Sequence, residues 1–218
     1  MSDDDSLEAR AHRERMKALD AEQSAKIKER QHSRGLLLVH DGDGKGKSTA
    51  AFGTALRAAG HGQRVGLVQF IKGTWKTGER EALKRFPEIE HVIAGEGFTW
   101  KTQDRARDVA AAERGWAAAK RMIAAGAGAE VAEAVEGDAQ RPYDLVILDE
   151  LNIALGYGYL ALPPVLEVLK SRPAELSVIV TGRGAPAELI ALADTVTRME
   201  PVKHAFEAGL RARKGVDF

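Results

Sequence analysis

From residue 35 onward, short apolar runs alternate with amphipathic or alanine-rich stretches. The apolar runs at 35–40, 65–70, 91–94, 145–148, 176–180 and 195–199 are rich in Val, Ile and Leu, and predict six strands. Between them, helical patterns occupy 47–59, 79–86, 105–124, 163–170 and 186–193. Gly60 can close the first of these helices and Asp104 can cap the long one, while Pro163 stands near a helix start, where proline is tolerated. Strands that are apolar throughout, rather than at every second position, suit a parallel sheet buried on both faces. The pattern therefore predicts an α/β fold with a mostly parallel sheet and helices on both sides. In such sheets ligands bind at the carboxyl ends of the strands. Loops fall at 71–78 and 95–103, and a polar tail runs from 201 to 218. The Ala-, Gly- and acid-rich stretch 125–142 reads as an insertion or mobile helix.

Residues 1–34 do not share this rhythm and are set apart from an α/β domain at 35–218. Arg10, Arg13, Arg15, Lys17, Lys26, Lys28, Arg30 and Arg34 interleave with acidic residues, without a continuous apolar stripe. The segment is either a solvated tail or a piece of chain that orders over a bound ligand. Its interleaved acids argue against nucleic acid as the partner.

Charge and composition narrow the classes further. The 218 residues carry equal numbers of acidic and basic side chains, so no global attraction to nucleic acid or an anionic membrane is expected. There is no cysteine, which excludes disulfides, thiolate metal sites and cysteine nucleophiles. No apolar run approaches the ~18 residues needed to cross a bilayer, and no signal-peptide core follows the acidic start. A cytoplasmic location is expected.

The chemistry begins at Gly42-Asp43-Gly44-Lys45-Gly46-Lys47-Ser48-Thr49, between the first strand and the first helix. Strand, glycine-rich turn, Gly-Lys-Ser and helix form the arrangement of a phosphate-binding loop, as in P-loop NTPases. Glycines let several backbone N–H groups point into one concavity, and the helix adds the positive end of its dipole. Lys47 brings a full charge to phosphates, and the Ser48 hydroxyl can ligate magnesium. The usual pattern has glycine five residues before Gly46, where this chain has Asp41, so the loop is effectively one residue short. The run Leu145-Val146-Ile147-Leu148-Asp149-Glu150 reads as a Walker B strand, with a carboxylate at its tip to hold magnesium directly or through water. Arg183 lies in a Gly-Arg-Gly turn after a strand and can fork onto phosphate oxygens, or stand as an exposed turn residue. Arg57, on the helix after the loop, is a nucleotide contact or a surface ion pair. Phe98 and Trp100 either anchor their loop to the core or form a platform for a large flat ligand, and Trp75 poses the same question. His204 has no metal partner at useful spacing and is read as structural.

Several ordered motifs together resemble one family. Residues 42–53, Gln69-Phe70-Ile71-Lys72-Gly73, Gly97-Phe98-Thr99-Trp100, Leu148-Asp149-Glu150-Leu151-Asn152, Thr181-Gly182-Arg183-Gly184, Ala193-Asp194-Thr195-Val196 and Pro201-Val202-Lys203-His204-Ala205-Phe206 are similar to the P-loop ATP:corrinoid adenosyltransferases. These enzymes act on cob(I)alamin or cob(I)yrinic acid a,c-diamide.

The resemblance implies attack by Co(I) on the 5′ carbon of ATP, with the whole triphosphate as leaving group. It places Gly42, Asp43, Gly44, Lys45, Gly46, Lys47, Ser48, Thr49, Arg57 and Arg183 around ATP, held in the reverse sense to a kinase. It places magnesium (or manganese) on Ser48 and Glu150, to which the Walker B reading adds Asp149. Lys47 and Arg183 would stabilise the leaving group, while Phe98 and Trp100 would pack beneath the corrinoid and exclude a lower ligand from cobalt. It further implies a homodimer, a cover formed by the N-terminal segment, and an electron donor such as a reduced flavoprotein. Two features depart from the family pattern: Asp43, where asparagine is common, and the length of 125–142. The residues alone leave two other classes open, a RecA-like ATPase with Glu150 orienting water and a non-catalytic nucleotide-binding module.

Overall fold

The computed structural model describes residues 7–29, 32–71, 77–95, 104–128 and 141–216. The chain divides into two compact units, one ending at Ser33 and the other beginning at Arg34. Among its described residues the first holds a single helix, α1 (Leu7–Lys28), whose side chains from Arg10 to Lys28 are all exposed. Helix-favouring Ala, Glu, Lys, Arg and Gln, with i,i+4 pairs such as Glu22–Lys26, account for it better than packing does.

The second unit runs β1 (Leu37–Asp41), α2 (Lys47–Gly60), β2 (Val65–Gln69), α3 (Gly78–Leu83), β3 (Ile89–Ile93), α4 (Arg105–Ala124), β4 (Leu145–Asp149), α5 (Leu151–Gly156), α6 (Leu162–Lys170), β5 (Ser177–Thr181), α7 (Ala187–Leu192) and β6 (Thr195–Arg198). The six strands form one sheet in the order β3-β2-β4-β5-β1-β6, and every neighbouring pair is parallel. This is the expected α/β architecture.

Side chains alternate between two cores along the central strands. Val146 and Leu148 of β4, with Val178 and Val180 of β5, face Trp116, Ala119 and Met122 of α4 and the helices after β4. Leu145, Ile147 and Ile179 face the other way, onto Ala51, Phe52, Ala55 and Ala58 of α2. The alanine stripe lets α2 lie close to the sheet, and this seats its N-terminus against the end of β1. Asp104 caps α4 as expected, accepting from the backbone N–H groups of Ala106 (3.1 Å) and Arg107 (3.2 Å).

Three boundaries differ from the sequence expectation in one direction. Asp41, Asp149 and Thr181, expected just beyond their strands, are the last residues within them. The parallel ladder carries each of them: Asp41 pairs in register with Arg198, His40 with Thr181, and Gln69 with Asp149. Helix α5 was not expected; at six residues it is too short to display a helical period.

The edge strand β6 is tied to β1 by Asp194. Its carboxylate accepts hydrogen bonds from the Leu37 amide (2.8 Å) and from Arg34, and pairs with Arg172 at 3.3 Å. Its own amide donates to the Leu37 carbonyl at 2.8 Å. Hydrogen bonding from Arg34, opposed by partial burial and helped by the Leu37 amide, holds the Asp194 carboxyl down to about 2. A carboxyl below its unfolded value of 3.8 stabilises the fold above that value and loses this effect as pH falls toward about 2. Asp194→Asn is therefore expected to lower stability to denaturant at pH 7. The gap from wild type should close as the pH is brought from about 4 to about 2, and a gap of constant size would contradict this role.

Candidate functional site

The ends of β4, β5 and β1 are adjacent in the sheet, so the loops that leave them open onto one place. The glycine-rich loop follows β1. Gly42 has φ 97°, and a Cβ there would lie 2.3 Å from the Met199 carbonyl oxygen; one on Gly44 would lie 2.7 Å from the Met199 carbonyl carbon. Only glycine fits this close pass over the end of β6. The Gly44 amide donates to the Met199 carbonyl at 2.7 Å. Gly46, at φ 108°, starts α2 without any side-chain cap. The helix therefore presents first-turn backbone N–H groups and the positive end of its dipole to the loop.

Lys47 is buried and folds back over the loop, its ammonium donating to the carbonyls of Gly42 (2.6 Å) and Gly44 (2.7 Å). Burial lowers its pKa; Glu150, Asp43 and Asp41 act to raise it and Arg183 to lower it. The residues singled out on three different loops thus act electrostatically on one ammonium. Arg183 lies 3.7 Å from Asp43, and both are well exposed. Asp41 accepts from the Ala185 amide at 3.1 Å and faces Arg198 at 3.5 Å, which joins the Arg183 turn to the root of the glycine-rich loop. Burial pushes the Asp41 carboxyl up, but the amides of Ala185, Gly42 and Gly184, together with Arg198, outweigh it and leave the group below the usual range. A cavity of about 500 Å³ opens here between Asp41, Asp43, Arg198 and Glu200. A larger one of about 600 Å³, between the end of α4 and α6, lies at the amino-terminal end of the sheet, away from these groups.

The tips of β2, β4 and β5 are joined by hydrogen bonds, and His91 in the edge strand β3 extends the row. His91 Nε2 meets Gln69 Oε1 at 2.9 Å, Gln69 Nε2 donates to Asp149 Oδ2 at 2.9 Å, and the Thr181 hydroxyl donates to Asp149 Oδ1 at 2.8 Å. The same hydroxyl accepts from the Glu150 amide at 2.9 Å. Burial, with Arg80 next in effect, pushes the His91 imidazole down to about 4, so it is neutral at pH 7. Glu150 takes φ 64°, the one positive φ outside glycine among the described residues. A side chain held there costs about 1–3 kcal/mol, and such strain is found at functional sites. Beyond it, Asn152 donates to the Gly182 carbonyl at 3.2 Å, while its Oδ1 is buried with no hydrogen-bond partner in the structure. A Cβ on Gly182 would come within 2.9 Å of the Asn152 Cβ, so the Thr-Gly-Arg turn needs glycine at this contact.

Of the residues singled out in the sequence, the structure gathers Gly42 to Lys47, Glu150 and Arg183, with Ser48 and Thr49 on the first turn of α2. Asp149 lies behind them, fully buried. Arg57 is exposed on the last turn of α2, about 15 Å along the helix axis from Lys47. Phe98, Trp100 and Trp75 lie outside the described residues, as does most of 125–142. His204 accepts from the Phe206 amide at 3.1 Å, a local structural contact. Sequence reasoning gave no role to Gln69, His91, Thr181 or Asn152, although Gln69 and Thr181, polar residues at the ends of apolar runs, were a visible signal. Ser48 and Glu150 supply hard oxygen donors, and no group of three or more His, Cys, Asp or Glu ligands occurs among the described residues. Such a donor set fits magnesium held by one carboxylate, a hydroxyl, substrate phosphates and water.

Known proteins share this chain along most of its length. Residues 33–218 match the family described as ATP:corrinoid adenosyltransferase BtuR/CobO/CobP. A corrinoid adenosyltransferase of Pseudomonas aeruginosa is 51% identical over 208 residues, covering 95% of each chain. One of Escherichia coli K12 is 44% identical over 95% of this chain and 97% of its own. The corrinoid adenosyltransferase CobA of Salmonella typhimurium is 45% identical over 89% and 91%. The glycine-rich loop, the Asp149-Glu150 strand tip and the Thr181-Gly182-Arg183 turn all lie within the matched span, and the chain belongs to the ATP:corrinoid adenosyltransferase family.

Proposed function

We propose that the cleft over the ends of β1, β4 and β5 is where this enzyme transfers the 5′-deoxyadenosyl group of ATP to the Co(I) centre of a corrinoid, in the formation of adenosylcobalamin. The observation that supports this placement is the cationic cradle, Lys47 inside a glycine-rich turn and Arg183 facing the same turn, with the Glu150 carboxylate beside it for a metal. The cobalt electron pair forms the Co–C5′ bond as the C5′–O bond breaks. Triphosphate leaves with that bond pair, and cobalt goes from Co(I) to Co(III). The nucleophile carries no proton, so the site needs no general base. Its main electrostatic task is to stabilise a highly charged leaving group.

Lys47 performs this by releasing the Gly42 and Gly44 carbonyls and turning to the phosphates, whose negative charge offsets the burial that disfavours the ammonium. Arg183 leaves Asp43 for a phosphate oxygen. The loop amides and the N-terminus of α2 bind the remaining oxygens. Ser48 and Glu150 would hold magnesium, which supplies further positive charge against the triphosphate. Phe98 and Trp100 form the apolar floor beneath the corrinoid and keep a lower ligand off cobalt. Without an axial donor, the orbital that accepts the reducing electron lies lower. Residues 1–34 cover the site across a homodimer, and a reduced flavoprotein in the cytoplasm supplies the electron. For this floor, cover and donor, the support is the family resemblance.

The test is product analysis with ATP, magnesium and chemically reduced corrinoid. Triphosphate together with a light-sensitive alkylcobalt spectrum is expected. ADP and phosphate formed without corrinoid would instead indicate a RecA-like ATPase. Lys47→Ala is expected to reduce transfer by at least about 10²-fold, as for loss of a group that stabilises leaving-group charge; near-normal turnover would contradict the triphosphate site. Asp43→Asn frees Arg183 from an exposed ion pair worth up to about 1 kcal/mol, so KM for ATP should fall by up to about fivefold at low salt and by less at high salt. An unchanged or raised KM would count against competition between Asp43 and phosphate. Trp100→Ala should impair transfer starting from Co(II) more than from pre-reduced Co(I), and equal loss in the two assays would remove its part in excluding the axial ligand.

A further inference from the structure

We propose that Thr181, Gln69 and His91 are positioning residues for Glu150, and that Asp149 serves the site as the buried anchor of their hydrogen-bonded row rather than as a ligand to the metal. The inference rests on the reading that ATP and magnesium occupy this cleft.

The direction of every bond in the row can be assigned. A carboxylate only accepts, so the group that Gln69 turns to Asp149 must be its NH2 (2.9 Å). Gln69 Oε1 is then an acceptor, and His91 must carry its proton on Nε2 to meet it at 2.9 Å. On the other side, Thr181 has one hydroxyl proton and gives it to Asp149 at 2.8 Å. That leaves a lone pair aimed at the Glu150 amide, which it receives at 2.9 Å. The orientation of the Thr181 hydroxyl is therefore set by Asp149, and the backbone of Glu150 is set by Thr181.

Two further observations give the row a purpose. Asp149 is wholly buried, with protein donors on both of its carboxylate oxygens, so it offers no open face to a cation arriving from the cleft. Glu150 is only partly buried and stands in the left-handed region at φ 64°. Its amide would leave that conformation if the Thr181 contact were lost. A carboxylate whose backbone is fixed before the cation arrives binds it without first being ordered, and removing partners that orient a ligand typically costs about 10–100-fold in metal affinity.

The test is calorimetric binding of ATP to the full chain, with magnesium and again with EDTA. The quantity read is the ratio of the two affinities, which involves no turnover. Wild type should bind ATP more tightly with magnesium. Thr181→Val keeps the volume and removes the hydroxyl; it should lose about tenfold or more of that ratio, with its affinity in EDTA within about twofold of wild type. Thr181→Ser restores the hydroxyl and should recover most of the ratio. Gln69→Met should shift the ratio in the same direction by less, and it carries the comparison alone if Thr181→Val shows no cooperative thermal transition. A folded Thr181→Val with the wild-type ratio, or Thr181→Ser as impaired as Thr181→Val, would overturn the positioning role. A wild-type protein whose ATP affinity ignores magnesium would instead overturn the reading of the cleft, and the inference with it.

Discussion

A parallel sheet covered on both faces has no room for a charge in its middle. In this protein the buried polar groups on the four inner strands stand at their carboxyl ends: His40 and Asp41 close β1, Gln69 closes β2, Asp149 closes β4 and Thr181 closes β5. Everything the site does depends on this constraint. Strand order brings all four of these ends side by side, and the ladder register brings them to one level. The apolar cores on either side hold them there, because moving one tip would mean shifting a strand whose side chains fill both faces.

The same constraint shapes the electrostatics. Lys47 is buried beneath the loop that it serves and is satisfied for the moment by two carbonyls of that loop. Arg183 and Asp43 pair across the opening. These contacts are weak enough to be exchanged for phosphate, and each exchange replaces a neutral or exposed partner with a more highly charged one. The Asp149 row is different in kind. Its central carboxylate is buried and held on both oxygens by protein donors, so it belongs to the fixed frame rather than to the parts that move.

The sequence made the sheet legible because apolar runs, helical stretches and glycine punctuation agreed with one another. The phosphate loop, the Asp149-Glu150 tip and the Arg183 turn were legible because each carried its own local signal. The tip network was not. Gln69, His91 and Thr181 are separated by 22 to 112 positions in the chain, and only the strand order β3-β2-β4-β5 makes them neighbours. The strained backbone of Glu150 and the short helix after it left no periodic trace either. Arg57 was read as a nucleotide contact or a surface ion pair, and the structure places it at the far end of α2. The extra carboxylate at Asp41, read only as a missing glycine, turned out to link the loop root to the Arg183 turn.

The most direct measurement is a crystal structure of the protein with a non-reacting ATP analogue, magnesium and a corrinoid. The account expects the triphosphate against the loop amides, with Lys47 turned away from the Gly42 and Gly44 carbonyls, Glu150 at the metal, and the 5′ carbon directed out of the cradle toward cobalt. A triphosphate bound elsewhere, or one whose terminal phosphate rather than the 5′ carbon faces the corrinoid, would contradict it.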